Sequence, residues 1–211
     1  MKIAVIAAGG KLGKKVVRQA LDRGFEVKGF VHHMQEVDAR AEILEKSLFD
    51  MTAEDIIDCD AVISAYGSGF QGNPELNLQA FGKYPELGKG CRHLAVIAGA
   101  GSLYQDAAHR KPGYEEEGYP PFLREISRYT RLGIDRMKED RSFVWTVICP
   151  SAIFDPDGPL TGRYQVRTDE QPVSNGNRKS CVSYADMAAA MLDCVEKDLW
   201  KNEVVSIEMV D

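Results

Sequence analysis

Between residues 7 and 13 the chain reads Ala7-Ala8-Gly9-Gly10-Lys11-Leu12-Gly13, small residues spaced to hold a pyrophosphate. Such a ligand needs a tight turn, backbone that its oxygens can approach closely, and a helix N-terminus whose free N–H groups point at it. Gly10 is the close-approach position, and Gly13 lets the following helix pack on its sheet. Lys11 adds a cation within reach of a phosphate. Further along, His32 and His33 follow an apolar run, and no Asp or Glu stands in that spot to bind a free ribose 2′-hydroxyl. A histidine, with an ordinary pKa of ~6.5, can be partly charged beside a phosphate. The pattern puts NADP ahead of NAD and leaves NAD open. Adjacent histidines are expected to point apart, so no metal site is assigned.

These groups need elements to position them. Residues 2–7 form a continuous apolar run, the pattern of a strand buried on both faces of a parallel sheet. Leu12, Val16, Val17, Ala20 and Leu21 then recur at helical spacing, and Gly24 supplies the stop. The glycines thus sit between a strand and what should be a capped helix, the context that a dinucleotide-binding turn requires. Further strands are expected at 27–31, 43–44, 61–63, 94–97 and 143–149, with helices across 76–89 and 122–140. Thr52-Ala53-Glu54-Asp55 resembles a capping box with Asp in place of Glu. Strands alternating with helices predict an α/β fold, a doubly wound parallel sheet with right-handed crossovers. After residue 150 prolines and glycines break the rhythm. Short strands are expected near 163–167 and 179–182, then a helix capped by Ser183 and a last strand at 203–209. The long loops 64–75 and 99–121 are candidates for function.

Composition excludes several classes. The 211 residues are 44% hydrophobic and 27% charged, enough to bury a sizeable core, which rules out disorder. One domain over 1–211 is expected, with 151–211 supplying its substrate-side portion. A net charge of −6 argues against nucleic acid as the partner. No apolar run reaches the ~20 residues of a bilayer helix. The five cysteines contain no Cys-x-x-Cys pair and read as reduced thiols of a cytoplasmic protein.

The glycine stretch resembles the Gly-Ala-Thr-Gly-x-x-Gly motif of atypical short-chain dehydrogenases/reductases, specifically the NmrA-like and NADH-flavin reductase group. Other segments match in order: Lys46-Ser47-Leu48-Phe49-Asp50, Ala65-Tyr66-Gly67, Ile97 to Leu103, Trp145 to Phe154, and Thr161-Gly162-Arg163-Tyr164. The resemblance implies a Rossmann-like fold with a small C-terminal substrate-side extension. It also implies that Leu48, Phe49 and Asp50 lie against adenine and that Ala65, Tyr66 and Gly67 end the fourth strand beside the cofactor. Ala7 replaces the group's first glycine, so its φ is expected to stay negative.

Standard short-chain dehydrogenases use Tyr-x-x-x-Lys to protonate a carbonyl. Each of the eight tyrosines here lacks a lysine four residues on. Hydride transfer to a flavin or quinone-like small-molecule acceptor, whose own electronics carry the chemistry, is therefore the expected activity. Ser102, at the end of the fifth strand, and Tyr129, on the helix where standard enzymes keep their tyrosine, are the catalytic candidates; turn and packing roles compete for each. Two alternatives stay open: a non-catalytic NAD(P) sensor and a sugar-nucleotide epimerase or dehydratase. The sequence does not choose between monomer and homodimer.

Overall fold

The computed structural model describes residues 1–172 and 180–210. The chain begins with β1 (Lys2–Ile6), α1 (Lys11–Asp22), β2 (Glu26–Val31) and β3 (Glu42–Glu45). It continues with β4 (Ala61–Ser64), α2 (Glu75–Gly88), β5 (His93–Ile97), α3 (Pro121–Glu139) and β6 (Trp145–Pro150). The last part holds β7 (Ile153–Asp155), β8 (Tyr164–Arg167), β9 (Cys181–Ser183), α4 (Tyr184–Glu196) and β10 (Glu203–Met209). Eight strands form one sheet in the order β3-β2-β1-β4-β5-β6-β10-β8. Every pairing in it is parallel except β10 with β8. β7 and β9 pair separately. This is the Rossmann-like, doubly wound α/β sheet.

The apolar run in β1 follows from burial on both faces. Ile3 and Val5 join a core with Val16 and Val17 of α1 and Met187 and Met191 of α4. Ala4 and Ile6 join the opposite core, with Tyr84 and Leu87 of α2 and Ile134 of α3. Each layer of helices therefore covers one face, α1 against α4 and α2 against α3.

Local signals behave as their chemistry demands. Asp55 accepts from the Thr52 backbone N–H at 2.7 Å, completing the capping box over a short 3-10 turn. Ser183 caps α4 by accepting from the Asp186 N–H at 2.9 Å. α3 opens with Pro121, whose missing N–H costs nothing in the first turn. Loop 99–121 is less irregular than expected, holding 3-10 turns at Ala100–Ser102 and Gly113–Glu115. β7 was not foreseen, and the strand expected from 179 is seen as Cys181–Ser183, with residue 179 outside the described residues.

Two expectations at the first turn are overturned. Ala7 has φ +58° rather than a negative value, and no side chain caps α1, whose N-cap is Gly10. The turn is the cause. The Gly10 N–H donates to the Ala7 carbonyl at 3.0 Å, and a Cβ on Gly13 would lie 2.1 Å from that same oxygen. The carbonyl is wedged between them, which forces Ala7 into the left-handed region. Placing an L-residue there costs ~1–2 kcal/mol, against ~0.5–1 for the extra chain entropy of glycine. Ala7→Gly is therefore expected to stabilise the protein by about 0.5–1 kcal/mol, read as a raised midpoint in urea unfolding. A lowered midpoint would show that the turn is not strained.

Candidate functional site

Where the strand order reverses, β1 and β4 send their chains to opposite sides and a crevice opens beyond their C-terminal ends. A cleft of about 430 Å³ occupies this place. Its inner wall is the N-terminus of α1, with Gly10, Lys11 and Leu12. The loop after β4 gives Ala65, Tyr66, Gly67 and Phe70, the end of β5 gives Gly99, and α3 gives Ile126, Ser127 and Thr130. Phe154 and Tyr184 come from the C-terminal part of the chain and pack together with ring centroids 4.0 Å apart. A second depression, about 580 Å³, lies on the outer side of α1 between Lys14, Lys15, Arg18 and residues 36–39. No strand residue lines it, and Arg18 there already pairs with Asp22 and Asp38.

The α1 terminus has the chemistry of an anion site. It has neither a side-chain cap nor an acidic residue in its first turn, so the first-turn N–H groups stay available to phosphate oxygens. Ala8 is buried behind it, donating its N–H to the Phe30 carbonyl at 3.0 Å. The space that a Gly9 Cβ would fill is occupied by the Gln35 amide, the end of an exposed, flexible side chain. A pyrophosphate fits this cradle.

The other sequence-predicted residues divide around the cleft. Leu48 is buried, Phe49 is half-buried and Asp50 exposed; the Phe49 ring meets Tyr66 edge-on at 5.6 Å. His32 and His33 are exposed just beyond β2. Their ring centroids are 4.0 Å apart, so the expectation that they point apart is wrong. They sit in a bend, where the side-chain alternation of a strand no longer applies. Among the described residues, no three His, Cys, Asp or Glu side chains gather as a metal site. Glu45, at the end of β3, brings a carboxylate to the same corner, accepting from the Met34 N–H at 2.8 Å. Only strand pairing places it there.

Ser102 and Tyr129 are not brought together, and neither lines the cleft. The Ser102 hydroxyl is buried and donates to the Gly99 carbonyl at 2.6 Å. Tyr129 donates to Glu75 of α2 at 2.9 Å, with the Arg128 guanidinium 4.3 Å from its ring centroid. The cleft's polar groups are others. Ser127 pairs with the Tyr119 hydroxyl at 2.7 Å, and a Cβ on Gly101 would overlap both oxygens, so the pair rests on the backbone just after β5. Deeper, Ser64 and Tyr84 share a hydrogen bond of 2.9 Å. Burial pushes the Tyr119 and Tyr66 phenols upward, further from neutral pH. No spacing rule announces these pairs.

Behind the site, α3 carries Arg131, only 3% exposed. It donates to Glu170 at 2.9 Å and to the Ser102 carbonyl at 3.3 Å, and it pairs with Asp135. Its guanidinium lies 4.9 Å from the Tyr104 ring centroid, and Lys138 also holds Glu170. Burial pushes the Glu170 carboxyl up, but Lys138 and Arg131 outweigh it and hold the group below its ordinary value. This network fixes the 99–104 segment at the β5 end of the cleft.

A reversed strand order with a glycine turn aimed at a helix N-terminus defines a dinucleotide-binding protein of the Rossmann type. Residues 7–198 match the NAD(P)H-binding family, and the chain belongs to it, within the atypical short-chain dehydrogenase/reductase group. It is 36% identical over 206 residues to the uncharacterized protein YwnB of Bacillus subtilis strain 168, covering 96% of each chain. It is similar, at TM-score 0.89 and 32% identity over 100% of both chains, to a Streptococcus pneumoniae TIGR4 protein provisionally named an NADH-flavin reductase. A Lactobacillus casei protein shares the fold at TM-score 0.88 and 24% identity, again over 100% of both chains. Among the described residues no helix is long and apolar enough to cross a membrane.

Proposed function

We propose that the protein is an NAD(P)H-dependent oxidoreductase that reduces a flavin or quinone-like acceptor. The observation carrying this reading is the uncapped, glycine-lined N-terminus of α1 opening on a cleft whose other walls are mostly apolar and aromatic, with Ser127 and Thr130 among their few polar groups. The cofactor would be held by the 9–13 turn, by Lys11, and by Ala65 to Gly67, with Phe49 beside Tyr66 on the adenine side. When bound, reduced nicotinamide supplies a hydride, which the acceptor takes together with one solvent proton. The chain's own work is to align two flat molecules and exclude water, a matter of positioning. Ser127, backed by Tyr119, gives the cleft one hydroxyl that can orient the acceptor. Residues 151–210 contribute the substrate side of a single domain through Phe154 and Tyr184. The whole-length pneumococcal relative, named for flavin reduction, supports the same class of acceptor.

That relative is named for NADH, whereas His32 and His33 with Lys11 favour NADPH in this chain. Glu45 favours the opposite choice. Steady-state oxidation of NADPH and of NADH with riboflavin as acceptor tests both points. Turnover is expected, with the lower KM for NADPH; a lower KM for NADH would assign the corner to Glu45. Tight cofactor binding with no turnover of any flavin or quinone would favour the sensor instead. Tyr129→Phe is expected to leave the rate within about threefold, below 1 kcal/mol of barrier, because its hydroxyl is engaged with Glu75 outside the cleft. A loss of ~10²-fold or more, the size of general-acid catalysis, would mean that Tyr129 swings in and that the substrate is a carbonyl compound.

A further inference from the structure

Phe70 and Phe122 are left open by the fold, at 73% and 63% exposure. They come from different segments, the loop after β4 and the first turn of α3, yet their rings meet edge to face with centroids 6.0 Å apart. Phe70 lines the cleft that holds Gly10 and Lys11. Phe122 stands one helical turn before Ile126 and two before Thr130, both of which line it too. The pair therefore continues the apolar wall of the cleft outward, bridging the loop and the helix at its mouth.

Two neighbouring phenylalanines with most of their surface in water are costly unless something flat and apolar covers them. A pair at right angles presents one ring face and one ring edge, complementary to a conjugated ring. We propose that the Phe70–Phe122 pair is the binding surface for the acceptor, and that it selects planar conjugated ring systems, isoalloxazine or quinone, over compact carbonyl compounds. The occupant is set by continuity: Phe70 is itself part of the lining of the cleft proposed for the cofactor and its ring meets Phe122, so a ring resting on the pair lies beside that cleft. The inference rests on the oxidoreductase reading and assigns the residues that bind and select its acceptor.

The test is binding, not turnover. Riboflavin is the probe because its ring fluoresces and it lacks the phosphate that could bind Lys11 instead. Wild-type protein saturated with NADP+ is expected to quench riboflavin fluorescence saturably. Phe70→Ala/Phe122→Ala should weaken that binding about tenfold, while Phe122→Tyr keeps it within about twofold and NADPH affinity is unchanged in both. An unchanged riboflavin Kd in the double variant, with wild type both binding riboflavin and oxidising NADPH with it, overturns the assignment and leaves the oxidoreductase reading standing. If wild type neither binds riboflavin or a quinone nor transfers electrons to them, the reading falls and takes this inference with it. Sedimentation of wild type as a dimer that the double variant dissociates would also overturn it, making the pair a seam between copies.

Discussion

Arg131→Met is expected to destabilise the protein by about 3 kcal/mol, the low end of the cost of breaking a buried ion pair, because Lys138 still compensates part of the Glu170 charge. Glu170, itself 9% exposed, would keep only Lys138, and the Ser102 carbonyl would lose the guanidinium that holds it. Adding Glu170→Gln should recover part of the loss, since an apolar or neutral pair removes the desolvation that the ions pay for. Chemical unfolding of the single and double variants measures both. The network also sets an acid dependence. The Glu170 carboxyl lies below its ordinary value when folded, so its contribution is complete above the unfolded pKa, near 4.5, and is lost as the pH falls through the lower folded value. Stability should drop on the acid side of that point in wild type and drop less steeply in Glu170→Gln. A single variant within 1 kcal/mol of wild type would show that the cluster is solvated and marginal.

The second large effect is at the phosphate turn. Gly10→Val is expected to weaken NADPH binding at least tenfold, about 1.4 kcal/mol, with the fold kept. A Cβ at Gly10 meets only the Ala7 carbonyl, at 3.3 Å, a tight contact that needs a shift of a few tenths of an ångström and is far milder than the clash at Gly13, and the branched side chain then projects over the helix N-terminus where oxygens must approach. Gly13→Ala is the contrasting control. Its Cβ would lie 2.1 Å from the Ala7 carbonyl and 2.9 Å from the Ala8 Cα, backbone that cannot move aside, so it should lose about 3 kcal/mol of stability. Titration of NADPH fluorescence and urea unfolding separate the two. Unchanged NADPH affinity in Gly10→Val would remove the phosphate assignment from this turn.

The sequence by itself determined the elements whose signals are local. The apolar run of residues 2–7, the helical spacing from Leu12 to Leu21, the Thr52–Asp55 box and the Ser183 cap each involve neighbours along the chain. They form in the same way wherever the rest of the protein goes. The strand–glycine–helix order at residues 7–13, where the cofactor's phosphates are proposed to bind, was legible for the same reason, because that turn is built almost entirely from its own backbone.

Tertiary structure decided what joins distant segments. Strand order set Glu45 beside the His32–His33 corner, and no position in the sequence relates the two. The Tyr119–Ser127 pair, the Phe70–Phe122 pair and the Arg131–Glu170 bridge each need a loop and a helix brought to contact by packing on the sheet. Ser102 and Tyr129 were legible as candidates because a hydroxyl falls at the end of the fifth strand and on the helix where standard enzymes keep their tyrosine. Where their hydroxyls point, toward Glu75 and the Gly99 carbonyl, depends on which neighbours the fold supplies. The sign of the Ala7 φ is a different case, local in sequence yet set by the packed geometry of the turn. The carbonyl that forces it is held by Gly10 and by the closeness of Gly13, a three-dimensional crowding that no preference of alanine records.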